Sequence, residues 1–121
     1  MAFPLSPVRQ AGPFVIVSGQ VGRDEDGTLP SSAAEQTRVV IASITRHLAS
    51  HGLTLADVVK TTVFLTSMDD VTAVNEVYRT AFPEPFPARS MVGASALPVP
   101  EGVVEIEAWA LQPSWNGTQS S

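Results

Sequence analysis

The stretch that most constrains this chain is Val58-Val59-Lys60-Thr61-Thr62-Val63-Phe64-Leu65-Thr66. Its β-branched residues suit a pleated strand, and side chains alternate between faces along a strand. Apolar residues fall on both of its faces, so something must cover both. Helical spacing frames the run. Before it, Ser32-Ala33-Ala34-Glu35 has the form of a capping box. Val40, Ile41, Ile44 and Leu48 then recur at a period near 3.6 until Gly52, which predicts a helix over about 33–51. Leu53 to Asp57 reads as a short connector. After it, Ser67-Met68-Asp69-Asp70 supplies a cap and first-turn acids for a second helix with Val71, Val74, Val77, Tyr78 and Ala81 on one face. Pro83, Pro85 and Pro87 end that helix.

The remaining apolar segments are short. Phe14 to Val17 reads as a buried strand between Gly12-Pro13 and Gly19, and a second strand is predicted to begin near Gln20-Val21-Gly22. Ala88 to Ala94 and Val103 to Leu111 are the last two strands, separated by the loop around Pro98-Val99-Pro100-Glu101-Gly102. The order is β-β-α-β-α-β-β, which predicts an α+β domain of two layers, a mixed sheet with two helices on one face. At 121 residues the chain holds one domain, over 1–112, with a polar, flexible tail over 113–121. The sheet face away from the helices would stay open in a monomer, and self-association is the economical way to cover it.

Composition removes several functions. There is no cysteine, hence no disulfide, thiolate catalyst or Cys-bound metal. A net charge of −5 with seven scattered cations argues against nucleic acid as the partner. No apolar run approaches the roughly 20 residues needed to cross a bilayer, and the N-terminus has no basic region leading into an apolar one. A soluble cytoplasmic protein is expected. His47 and His51 share a helical face, but no third ligand accompanies them, so no metal site is read. Neither a phosphate-cradling glycine loop nor a Ser/His/Asp arrangement can be assembled.

What remains is Pro87-Ala88-Arg89-Ser90 and Val103-Val104-Glu105-Ile106-Glu107-Ala108. An arginine in an apolar run is costly unless its planar fork has an anion to hold. In a strand, Glu105 and Glu107 point the same way, with Val103 and Trp109, while Ile106, Ala108 and Ala110 line the other side toward the helices. One reading makes Arg89 a bidentate carboxylate clamp and one glutamate a proton-handling group. The other makes them a structural ion pair at a subunit interface, or plain solvated carboxylates. The residue pattern fits both.

These motifs also carry a resemblance. Val17-Ser18-Gly19-Gln20, Asp57 to Leu65, Val74-Asn75-Glu76-Val77-Tyr78, Phe86-Pro87-Ala88-Arg89-Ser90, Leu97-Pro98 and Val104 to Ala108 occur in this order over about 4–110. In that, the chain resembles the Rid family, also called YjgF or endoribonuclease L-PSP. The resemblance implies a chorismate-mutase-like fold and a homotrimer with clefts between subunits. It implies hydrolytic deamination of 2-imino acids and their enamine tautomers, such as 2-aminoacrylate, to 2-keto acids and ammonia, with no cofactor. It casts Arg89 as the anchor of the substrate carboxylate and Glu105 as the residue that orients water. Ser18 and Asn75 match positions near the cleft. Leu5 stands where much of the active branch has tyrosine, and Met91 where cysteine is common, so the cleft is expected to be more apolar here. A non-catalytic ligand-binding or regulatory trimer and a pathway-specific imine-processing enzyme are the alternatives; turnover of a generated imine separates binding from catalysis. Ribonuclease activity, reported for some relatives, sits poorly with a pI near 4.8.

Overall fold

The computed structural model describes residues 3–113. Strands β1 (Val8–Ala11) and β2 (Phe14–Val21) form a hairpin, followed by helix α1 (Ala33–Ala49), strand β3 (Val58–Leu65), helix α2 (Val71–Ala81), and strands β4 (Ala88–Gly93) and β5 (Val104–Leu111). One five-stranded sheet results, in the order β1-β2-β5-β3-β4. Only β3 and β4 run parallel, and α2 makes the crossover that parallel strands require. Both helices lie on one face, giving a two-layer α+β architecture.

Two predicted elements are corrected. Phe14 to Val21 is a single strand, not a strand followed by a new one at Gln20, and the first strand is Val8–Ala11. The break read at Ser18-Gly19 is a β-bulge inside β2: pairing with β5 runs to Val17↔Ala108 and resumes at Gln20↔Ile106. The first strand escaped notice because it is short and almost wholly exposed, which leaves no apolar alternation to read. Its hairpin turns at Gly12, whose φ of 60° admits glycine without strain.

The helices differ from expectation at their ends. Ser32 does cap α1, accepting from the Glu35 amide at 3.1 Å, but Glu35 turns to the Arg38 guanidinium rather than back to Ser32. The last helical residue is Ala49, and the chain unwinds through His51 to Gly52, whose amide bonds Ala49 O. A 3-10 turn over Met68–Asp70, capped by Ser67, leads into α2. Another at Leu55–Asp57 is closed by a reciprocal Thr54–Asp57 capping box. Of the tail expected over 113–121, residues 114–121 lie outside the described residues.

The core lies between helices and sheet. Val40, Ile44, Leu48, Val74 and Val77 meet Val15, Val17, Val63, Leu65, Ile106, Ala108 and Ala110. Ile44 is fully buried there. Ile44→Ala should cost about 2–5 kcal/mol in denaturant unfolding, since neighbouring strands cannot collapse onto the hole. Buried polar groups are paired as well. Gln36 donates to Pro30 O and Glu101 O and accepts from the Val103 amide, pinning the loop before β5 to α1. Val103 therefore precedes the strand and packs against the core rather than sharing the glutamate face.

The opposite face of the sheet carries Ile16, Thr62, Phe64, Glu105, Glu107 and Trp109, with Ser90 and Val92 beside Thr62 and Phe64. Trp109 and Val92 are about two-fifths exposed, and Phe14 meets the Trp109 ring edge-on at 5.6 Å. None of the described helices covers it. No described helix is long and apolar enough to cross a membrane.

Candidate active site

Parallel pairing decides where Arg89 points. Thr61 pairs with Arg89 and Val63 with Met91. Thr61 and Val63 face the helices, so Arg89 does too. There its Cζ lies 4.8 Å from the centroid of the Tyr78 ring, a cation–π contact. Tyr78 is itself held. Its hydroxyl and the buried Thr61 hydroxyl lie 2.7 Å apart in a hydrogen bond, and its ring stacks on Phe82 at 4.3 Å. Burial raises the Tyr78 pKa, with the Thr61 bond and the Arg89 charge opposing the rise, so the hydroxyl stays protonated at neutral pH. The guanidinium thus sits over a fixed aromatic platform.

Arg89 borders a cavity of about 250 Å³ lined also by Asn75, Tyr78, Arg79, Phe86 and Pro87. No carboxylate lines it. Among the described residues no acid pairs with Arg89; the two ion pairs there are Arg38–Glu35 and Arg46–Glu25. The three prolines turn the chain from the end of α2 into β4, carrying Phe86 and Pro87 to the pocket rim. Met91, on the same face two residues on, is half-buried against the core and does not line the cavity.

Glu105 lies elsewhere. It pairs with Phe64 and Val21 and faces the uncovered side of the sheet, two strands from Arg89, or about 10 Å across the sheet and on its other face. A single chain therefore does not bring Arg89 and Glu105 onto one ligand. Partial burial, and then the Glu107 charge, raise the Glu105 pKa. Its carboxylate lies against the bulge: a Cβ on Gly19 would overlap Glu105 Oε2 and stand 2.8 Å from Cδ. Gly19 thus leaves the room the carboxylate occupies. Gly19→Ala should displace that flexible side chain at little stability cost, within about 1 kcal/mol. If Glu105 handles protons, kcat should fall about 10–100-fold. Steady-state kinetics beside a melting curve would test both parts.

The other expected site residues divide similarly. Asn75 lines the Arg89 pocket from α2. Ser18 lies in the bulge, where its hydroxyl donates to Ser6 O at 2.6 Å and its amide to Pro7 O. It fastens the segment carrying Leu5, whose side chain is largely exposed and outside the pocket. The sequence reading missed Tyr78, Arg79 and Phe86 as lining residues. The sequence places Tyr78 on the apolar face of α2 and in the Val74–Tyr78 motif, with no role in the pocket. His47 lies in the last turn of α1, where burial and the Arg46 charge lower its pKa. No cluster of three metal-ligating side chains occurs among the described residues.

The endoribonuclease L-PSP family profile matches residues 2–112. The chain belongs to this family, also known as Rid or YjgF. Mouse 2-iminobutanoate/2-iminopropanoate deaminase is 37% identical over 111 residues, covering 90% of this chain and 82% of that protein. The RidA crystal structure from the Antarctic bacterium Psychrobacter sp. PAMC 21119 superposes with a TM-score of 0.86 at 37% identity, covering 92% and 90% of the two chains. E. coli TdcF, crystallised with bound serine, gives a TM-score of 0.87 at 31% identity, with 93% and 91% covered. The sheet with one uncovered face is thus the fold of the Rid family.

Proposed function

We propose that this Rid-family chain is an imine deaminase that hydrolyses 2-imino acids and their enamine tautomers to 2-keto acids and ammonia. One observation carries the reading: a guanidinium held over a fixed tyrosine, without an acidic partner among the described residues, lining a pocket that also holds Asn75. Such a fork accepts a carboxylate in two parallel hydrogen bonds. The name of the mouse relative and the serine bound by TdcF support a small α-carboxylate ligand.

In this reading Arg89 anchors the carboxylate and Asn75 hydrogen-bonds the polar end of the substrate. Glu105 acts from a neighbouring copy in a homotrimer. A cleft between chains reconciles the opposite-facing Arg89 and Glu105 and covers Trp109, Phe64 and Val92. Ser18 supports the cleft wall, and Leu5 and Met91 make its surroundings more apolar.

An iminium carbon is already electrophilic, so orientation supplies most of the catalysis. Glu105 takes a proton from water as its oxygen bonds to the imine carbon and the C=N π electrons move to nitrogen. That proton is then delivered to the amine nitrogen. The tetrahedral carbinolamine breaks its C–N bond, releasing ammonia as Glu105, again a carboxylate, takes the hydroxyl proton to leave the keto group and passes it on to solvent. One water enters, and one ammonia and one keto acid leave.

The test is ammonia and keto-acid release from imino acids made in situ by an amino-acid oxidase, with semicarbazide as competing trap. Acceleration by the purified protein supports the deaminase. Ligand binding without acceleration across a varied imine panel would leave a binding protein instead. Sedimentation equilibrium reads the trimer separately.

A further inference from the structure

Beside Arg89 the pocket holds a second cation. Arg79 lies one turn after Asn75 on α2, so both project from the same helical face, and both line the cavity with Tyr78 and Phe86. Two other arginines are paired, Arg38 with Glu35 and Arg46 with Glu25. Arg79 and Arg89 have no such partner among the described residues. Two like charges bordering 250 Å³ of space repel, and an anion between them turns that cost into attraction. The same cavity is lined by the Tyr78 ring and the exposed Phe86, which suit a short hydrocarbon span. The volume lies below the roughly 300–1,000 Å³ of drug-sized sites, which fits a compact metabolite.

We infer that this pocket selects dicarboxylates, with Arg89 on the α-carboxylate and Arg79 on a second carboxylate one short chain away. The inference rests on the deaminase reading for the role of Arg89, and narrows the substrate to 2-imino acids derived from acidic amino acids. Asn75 serves the polar centre between the two ends. Arg79 is then the specificity-determining residue. A monocarboxylate leaves its guanidinium without a partner.

Calorimetric titration with two stable 2-oxo acids tests this directly, using 2-oxoglutarate and 2-oxobutanoate against wild type, Arg79→Met and Arg79→Lys. Circular dichroism of each variant checks that it is folded. Wild type is expected to bind the dicarboxylate at least tenfold more tightly, as suits one added charge-assisted pair. Arg79→Met should bring that ratio close to one, and Arg79→Lys should restore part of it. Equal affinities in wild type, or a preference that survives in Arg79→Met, would overturn the inference.

Turnover of the corresponding imines separates the two readings. Hydrolysis of both imines with no dicarboxylate preference in binding or in kcat/KM leaves the deaminase standing and removes the role of Arg79. A binding preference that Arg79→Met abolishes, without hydrolysis of either imine, supports the dicarboxylate pocket and removes the deaminase.

Discussion

Arg89→Ala is expected to lower kcat/KM for imine hydrolysis by about a thousandfold while leaving the protein folded. The activity loss combines two charge-assisted hydrogen bonds to the carboxylate with the orientation they impose on the imine carbon relative to water. The structural loss is small. Arg89 is exposed at the sheet edge, and its contact with Tyr78 contributes about 0.5–1 kcal/mol. Arg89→Lys should recover only part of the activity, because an ammonium keeps the charge but lacks the planar fork that pairs with a carboxylate at two points. The measurement is turnover of oxidase-generated imines by the three proteins, with a thermal melt of each. Wild-type turnover by Arg89→Ala would remove the carboxylate anchor from the proposal.

Glu105→Gln is expected to move activity and stability in opposite directions. As a proton-handling group Glu105 should be worth about 10²–10⁴ in kcat, and an amide of the same shape cannot take the proton. Stability follows from the raised pKa. Burial and the Glu107 charge disfavour the ionised carboxylate in the folded chain, so between the unfolded and the folded pKa the folded state binds more protons. Stability conferred by the protonated group therefore falls as pH rises through that window, and the full penalty is present above it. Glutamine carries no charge and escapes the penalty. The variant should melt higher than wild type at neutral pH, and the gap should close on acidification below the usual ~4.3 of a free glutamate. The same shift sets the acid limb of kcat/KM in wild type above ~4.3, and the limb should vanish in the variant. Melting curves and pH–rate profiles of both proteins check this, and a variant no more stable at neutral pH would contradict the cause assigned to the shift.

The site was legible to different depths along the chain. Glu105 and Glu107 share a face as their two-residue spacing requires, and Ile106, Ala108 and Ala110 fill the core as expected. Ser32 caps α1, yet Glu35 chose Arg38 over the helix end, because an exposed side chain is free to take the nearer opposite charge. The bulge at Ser18-Gly19 was read as a strand break. Its two residues face one on β5, and that register exists only once β2 and β5 are paired. Tyr78 was legible as an apolar position of α2 but not as the platform under Arg89, since its stacking partner comes from β4 after the proline turns.

The sequence by itself determined the two helices, the last three strands and the layered α+β class, because helical and strand periodicities and the proline stops act over a few residues at a time. It also determined that one sheet face would lack cover, since two helices cannot shield both sides of five strands. Only the tertiary structure decided that Arg89 and Glu105 face opposite ways. The face an edge-strand residue takes depends on its register with the neighbouring strand, here Thr61↔Arg89 in a parallel pair set by the α2 crossover. The approach of Arg79 to the Arg89 pocket has the same origin, because the crossover lays α2 beside β4 and brings residues ten apart in sequence around one cavity.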